Sequence, residues 1–174
     1  YIVIIKKLII VLATTLMSLS SFAKDVKTEN LDLFVGDWIV NCTPDSTENK
    51  KKCALERSLF IDQKRKKKLV SIIMQTKTSS EDVRFILISP LGTLLQSGVK
   101  IGFDDKLVSE NAYGFNTCKP FGCVTSMMVK KETLNRFKKS DNLNLEYIGI
   151  KGEKIEIKFS LSGFEKEFKK IANI

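Results

Sequence analysis

The stretch LNLEYIGIKGEKIEIKFSL, residues 143–161, carries the period of a half-buried strand twice over. Leu143, Leu145 and Tyr147 alternate with Asn144 and Glu146; Ile155, Ile157, Phe159 and Leu161 alternate with Glu156, Lys158 and Ser160. An extended chain sends successive side chains to opposite faces, so each run presents one apolar and one polar face. Gly149-Ile-Lys-Gly152 between the runs supplies the turn residues of a hairpin.

Similar segments recur at 35–42, 53–61, 69–76, 83–89, 98–103 and 123–129. Short strands at such intervals predict a mostly β chain, an antiparallel β-sandwich or barrel-like domain. Two short helices interrupt the pattern. Ser162-Gly-Phe-Glu165 has the form of a capping box, after which Phe164, Phe168 and Ile171 fall on one face and Lys169 and Lys170 lie at the negative helix end. This C-terminal helix is expected to cross the sheet edge or mouth. The other helix, Glu132 to Lys139, places Leu134 and Phe137 inward.

The chain begins YIVIIKKLIIVLATTLMSLSSFAKD, with Lys6 and Lys7 before an apolar run from Leu8 to Leu19 and small residues ending at Ala23. That is the three-part pattern of a secretory signal peptide. The run is shorter than the roughly 20 residues of a membrane span and is broken by Thr14, Thr15 and Ser18. The expectation is a signal peptide over 1–23, cleaved after Ala23, and one domain over 24–174. No cysteine lies near the cut to receive a lipid, so a lipid-anchored lipoprotein is not indicated.

Export puts Cys42, Cys53, Cys118 and Cys123 where disulfides persist. Four cysteines allow three pairings. Cys42–Cys53 and Cys118–Cys123 are favoured, because each pair is close in sequence and separated by turn formers: Pro44, Asp45, Ser46 and Asn49 in the first, Pro120 and Gly122 in the second. Redox use would call for C-x-x-C at a helix start, whereas Cys118 and Cys123 have four residues between them. A four-cysteine zinc site would call for tighter knuckle spacing at both ends.

Lysine and arginine number 29 against 20 acids, a net charge of +9, and there is no histidine. Without histidine the commonest general base and metal ligand is absent, along with every Ser-His or Cys-His nucleophile pair. The basic run Lys64, Arg65, Lys66, Lys67 and Lys68 follows Asp62 between two predicted strands. It reads either as the solvated tip of a hairpin or as a contact for lipid or lipopolysaccharide phosphates or acidic glycans. Lys50, Lys51 and Lys52 would join it if the neighbouring strands pair that way. Nucleic acid is not expected as a partner, because the basic residues are not interleaved with exposed aromatics.

Enzyme signatures are thin. Ser97-Gly-Val-Lys100 and Ser140-Asp-Asn142 echo two boxes of penicillin-recognising enzymes, yet Ser97 falls in a glycine-flanked strand and no K-T-G follows. Asp104 and Asp105 read as a strand-end turn rather than an acid pair. Trp38 is expected in the core beside the first disulfide.

One set of landmarks runs through the chain in order: Gly36-Asp-Trp38, Cys42, Cys53, Pro90-Leu-Gly92, Gly98-Val99, Phe103-Asp104, Cys118, Gly122-Cys123 and Ser160-Leu-Ser-Gly163-Phe164. The order and spacing resemble the invasion-associated locus B family of exported alphaproteobacterial proteins. The resemblance implies a β-rich, disulfide-bonded protein of the periplasm or outer membrane, linked in pathogens to host-cell entry and lacking transferable catalytic residues. The resulting expectation is a non-enzymatic envelope protein without cofactor. It would bind an envelope or host-surface protein, or an anionic component such as lipid or lipopolysaccharide. The alternative is a small periplasmic hydrolase or redox accessory.

Overall fold

A computed structural model describes residues 33–45, 50–77, 83–104, 106–107 and 112–172. The expected signal peptide over 1–23 lies outside the described residues. Eleven strands and two helices are described: β1 Phe34–Val35, β2 Ile39–Asp45, β3 Lys50–Phe60, β4 Lys68–Lys77, β5 Val83–Ser89, β6 Val99–Phe103, β7 Lys106–Leu107, β8 Thr117–Lys119 and β9 Gly122–Val129, then α1 Lys131–Lys139, β10 Asn142–Ile148, β11 Lys154–Ser160 and α2 Phe164–Ala172.

The opening stretch forms the hairpin expected of it, with Leu143 opposite Phe159, Leu145 opposite Ile157 and Tyr147 opposite Ile155. β6 pairs with the other side of β10, and β7 completes a four-stranded antiparallel sheet, β11-β10-β6-β7. The larger sheet runs β1-β3-β4-β5-β9-β8, with β2 also paired to β3. All its pairs are antiparallel. Neither sheet closes on itself, so the arrangement is an open two-sheet packing rather than a barrel.

Alternation decides what is buried. Leu55, Leu59, Val70, Ile72, Met74, Phe85 and Leu87 from the larger sheet join Val99, Leu143, Leu145 and Phe159 from the smaller one in a single apolar cluster. Burying side chains of this size contributes about 1.5–3 kcal/mol each before conformational entropy is set against it. The helices close the cluster. Phe137 of α1 meets Phe103 at 4.8 Å and Phe85 at 5.3 Å between ring centroids, and Phe164 of α2 meets Phe137 at 5.6 Å. These rings tie both sheets and both helices together. The Thr76 hydroxyl donates to the Ile171 carbonyl at 3.0 Å, fastening the end of α2 to β4.

Several expectations need correction. The segment 35–42 is not one strand, because Gly36, Asp37 and Trp38 separate β1 from β2. β7 and β8, of two and three residues, were too short to show a period. Ser97 ends a 3-10 turn, Leu95–Ser97, ahead of β6 rather than lying within a strand. Glu165 turns forward to Lys169, 3.0 Å away, instead of reaching back to Ser162 in a capping box.

Candidate functional site

Both disulfides join residues that stand directly opposite in antiparallel pairs: Cys42 with Cys53 across β2 and β3, and Cys118 with Cys123 across β8 and β9. Each locks a local hairpin. The second tip depends on Gly122, whose φ is +140° and where an added Cβ would stand 2.5 Å from the Ser89 carbonyl oxygen. Thus the NTCKPFGC stretch is a stapled turn, with Phe121 largely exposed at its tip. Among the described residues no cysteine is free, and no group of three or more carboxylates or cysteines could hold a metal ion.

The basic run occupies the β3–β4 connection. Asp62 organises it by accepting the backbone N–H groups of Lys66 at 2.8 Å and Lys67 at 3.2 Å, while Arg65 takes φ 53° at the turn. Arg65 pairs with Asp37 at 3.1 Å and Lys68 with Glu56 at 2.8 Å. Such surface pairs contribute little stability, typically below about 1 kcal/mol, but they take two of the five cations out of play. Lys64, Lys66 and Lys67 point into solvent, with no carboxylate partner among the described residues. Lys50, Lys51 and Lys52 do not join them. They lie at the other end of β3, and an eleven-residue strand spans roughly 30 Å.

The structure gathers the sequence landmarks at a place no single motif announced. Trp38 packs edge-on against Phe164 at 5.3 Å, and its indole N–H donates to the Ser162 carbonyl at 2.8 Å. Trp38 is therefore half-buried against the start of α2 and not, as expected, in the core beside the first disulfide. Arg57 binds the whole junction. Its Nε donates to Gly36 at 2.8 Å and its Nη1 to the carbonyls of Ser160 at 3.0 Å and Ser162 at 2.9 Å, with the guanidinium 5.2 Å from the Trp38 ring centroid. Burial lowers the Arg57 pKa, and Asp37 nearby partly restores it. Gly36-Asp-Trp38 and Ser160-Leu-Ser-Gly163-Phe164 are thus two halves of one buttress, with Arg57 as its centre. Sequence reasoning missed Arg57, although β3 places it on the same side as buried Leu55 and Leu59, where a charge must find partners.

The remaining polar candidates are structural. Asp104, at φ 54°, accepts the backbone N–H groups of Asp141 at 3.0 Å and Asn142 at 3.1 Å, and these bonds, that from Asn142 foremost, hold its pKa below the usual carboxylate value. Lys100 meets Glu146 at 3.5 Å across β6 and β10, so the Ser97 to Lys100 echo does not form a nucleophile and base.

The model of the family described as "Invasion associated locus B (IalB) protein" matches residues 38–172. This chain belongs to the invasion-associated locus B family. The match begins at Trp38 and ends on α2, so it takes in Trp38, Arg57 and the turn at 160–164. Among solved structures, the chain is similar to invasion associated protein B from Bartonella henselae, with 20% sequence identity, a TM-score of 0.69, and 80% of this chain and 93% of that chain covered. At that identity the likeness speaks for the shared fold. A search of curated protein sequences finds no significant match.

Proposed function

We propose that this invasion-associated locus B protein is an exported, non-enzymatic envelope protein of the periplasm or outer membrane that works by binding an anionic component of the envelope or host surface. The observation that carries the reading is the β3–β4 tip. There Asp62 holds the turn while Lys64, Lys66 and Lys67 stay uncommitted in solvent. Clustered lysines on a fixed turn attract phosphate and carboxylate surfaces at long range. The two cross-strand disulfides support an oxidising compartment for the folded chain.

The test is co-sedimentation with vesicles containing lipopolysaccharide or anionic phospholipid, at low and high salt. Salt-sensitive binding that falls when Lys64, Lys66 and Lys67 are all replaced by glutamine supports the reading. Binding that survives the triple replacement, or no binding by the unaltered protein, sinks the tip as a contact.

A further inference from the structure

The outer face of the larger sheet carries one cross-strand row that has no structural duty. Asn41 of β2 stands opposite Ala54 of β3, Ala54 opposite Gln75 of β4, Gln75 opposite Arg84 of β5, and Arg84 opposite Met128 of β9. All five face away from the second sheet. Their chain neighbours Leu55, Met74, Val83 and Phe85 are buried on the inner side, so alternation holds the row outward. Ala54 is the small member, and the low point it leaves between two amides opens a groove of ≈ 640 Å³. That volume lies within the range of about 300–1,000 Å³ common to small-molecule sites.

Two cations line this groove, Lys52 and Arg84, and Arg84 is the one that stands within the row. Of the four arginines, Arg57 is engaged by three carbonyls, Arg65 is paired with Asp37 and Arg136 lies over the Phe103 ring. Among the described residues Arg84 has neither a carboxylate nor a ring, and its planar fork is free to take an oxyanion through two parallel bonds. Gln75 beside it, and Asn41 beyond Ala54, offer amides that both donate and accept, which suits hydroxyl groups. Met128, 53% exposed, and Ala54 add an apolar floor. A peptide is a poor fit. The row's centre lies on β3, β4 and β5, each paired on both edges, so no backbone groups remain for an added strand.

We infer that this groove binds a short acidic saccharide, with Arg84 on its carboxylate or phosphate and Asn41 and Gln75 on its hydroxyls. The inference rests on the reading of the protein as a binder of anionic envelope or host-surface material, and places a specific site across five strands, apart from the lysine tip.

The test uses the full chain on an array of short uronate-bearing and phosphate-bearing oligosaccharides and their uncharged parents, with affinities then measured by calorimetry. Arg84→Gln and Ala54→Leu are the site variants, and the triple Lys64, Lys66 and Lys67 replacement is the control. The expected result is capture of acidic members over their parents, a loss of about tenfold or more in both site variants, and little change in the control. Which of the two acidic arms binds tells carboxylate from phosphate. Equal capture of the uncharged parents, unaltered affinity in folded Arg84→Gln, or no capture of any acidic member overturns the groove. If vesicles still bind through the tip in that case, the groove alone falls; if they do not, the general reading falls with it.

Discussion

Trp38 and Ser162, 124 residues apart, are joined by a hydrogen bond from the indole N–H to the backbone carbonyl at 2.8 Å. The bond brings the chain just ahead of β2 onto the turn that launches α2. Gly163, at φ +80°, sits under the ring, where an added Cβ would lie 3.6 Å from it. Trp38→Phe removes the N–H together with the five-membered ring but keeps an aromatic ring to set against Phe164, and Ser162 keeps Arg57 as a donor. The expected cost is about 1 kcal/mol in urea unfolding. Trp38→Ala also empties the contact with Phe164 and should cost at least about 2 kcal/mol, short of the 3–5 kcal/mol of a fully enclosed tryptophan. Equal effects of the two replacements would show that the ring packing matters little.

Arg57 should be less replaceable than its half-buried position suggests. Its Nε and Nη1 serve three carbonyls on the two segments that meet at the junction. Arg57→Lys keeps the charge but not the fork, so it cannot reach Gly36, Ser160 and Ser162 together. We expect Arg57→Lys to lose about 2 kcal/mol or more of stability and Arg57→Met to lose at least as much. A lysine variant as stable as the parent would mean that the charge, rather than the geometry, holds the junction.

The contrast between this junction and the β10–β11 hairpin explains how much was legible in the sequence. The hairpin and the faces of both helices were readable, because period two and period 3.6 are local signals; Phe137, Phe164, Phe168 and Ile171 are buried where the periods put them. The junction was not, because its bonds run from side chains to backbone carbonyls, which leave no residue-type signature. Nor was the groove, since Asn41, Gln75 and Arg84 look like any solvated strand positions until the register places them in one row. Whether Lys50, Lys51 and Lys52 join the basic run 64–68 was open, because that depends on how the strands pair and sequence gives only spacing.

Breaking the staples should reveal an unequal pair. Cys42 and Cys53 are 11 residues apart, Cys118 and Cys123 only 5. In the chain-entropy account the longer closure restrains the unfolded chain more, with about 2–3 kcal/mol for loops of this size. Replacing both cysteines of the first pair by serine is therefore expected to lower the urea midpoint more than the same change in the second. Among the described residues β2 also has β3 as its one partner strand, so its loss exposes the Asn41 end of the groove as well. The reverse order would place the β8–β9 tip, and not the β2–β3 edge, at the weak point of the sheet.

The two sides of β10 should set opposite limits on the pH range of the fold. On its outer side Glu146 accepts a bond from Lys154 at 2.9 Å, which, more than burial opposes it, holds the Glu146 pKa below its ordinary value. A carboxyl whose folded pKa is depressed contributes stability above its unfolded pKa, near 4.5, and that contribution is lost as pH falls through the folded value. On the inner side, burial pushes Tyr147 from 10.0 up to about 12. The neutral phenol is favoured in the fold, so this contribution is complete below pH 10 and disappears as pH rises towards 12. Glu146→Gln should flatten the acid limb of a stability–pH curve, whereas Tyr147→Phe should leave that limb alone and change the alkaline limb between pH 10 and 12. The Lys154 pair of Glu146 also weakens in strong alkali, which is why the comparison is made between variants at each pH and not on the parent curve. An alkaline limb identical in Tyr147→Phe and the parent would mean that lysine deprotonation, not the buried phenol, sets the upper limit.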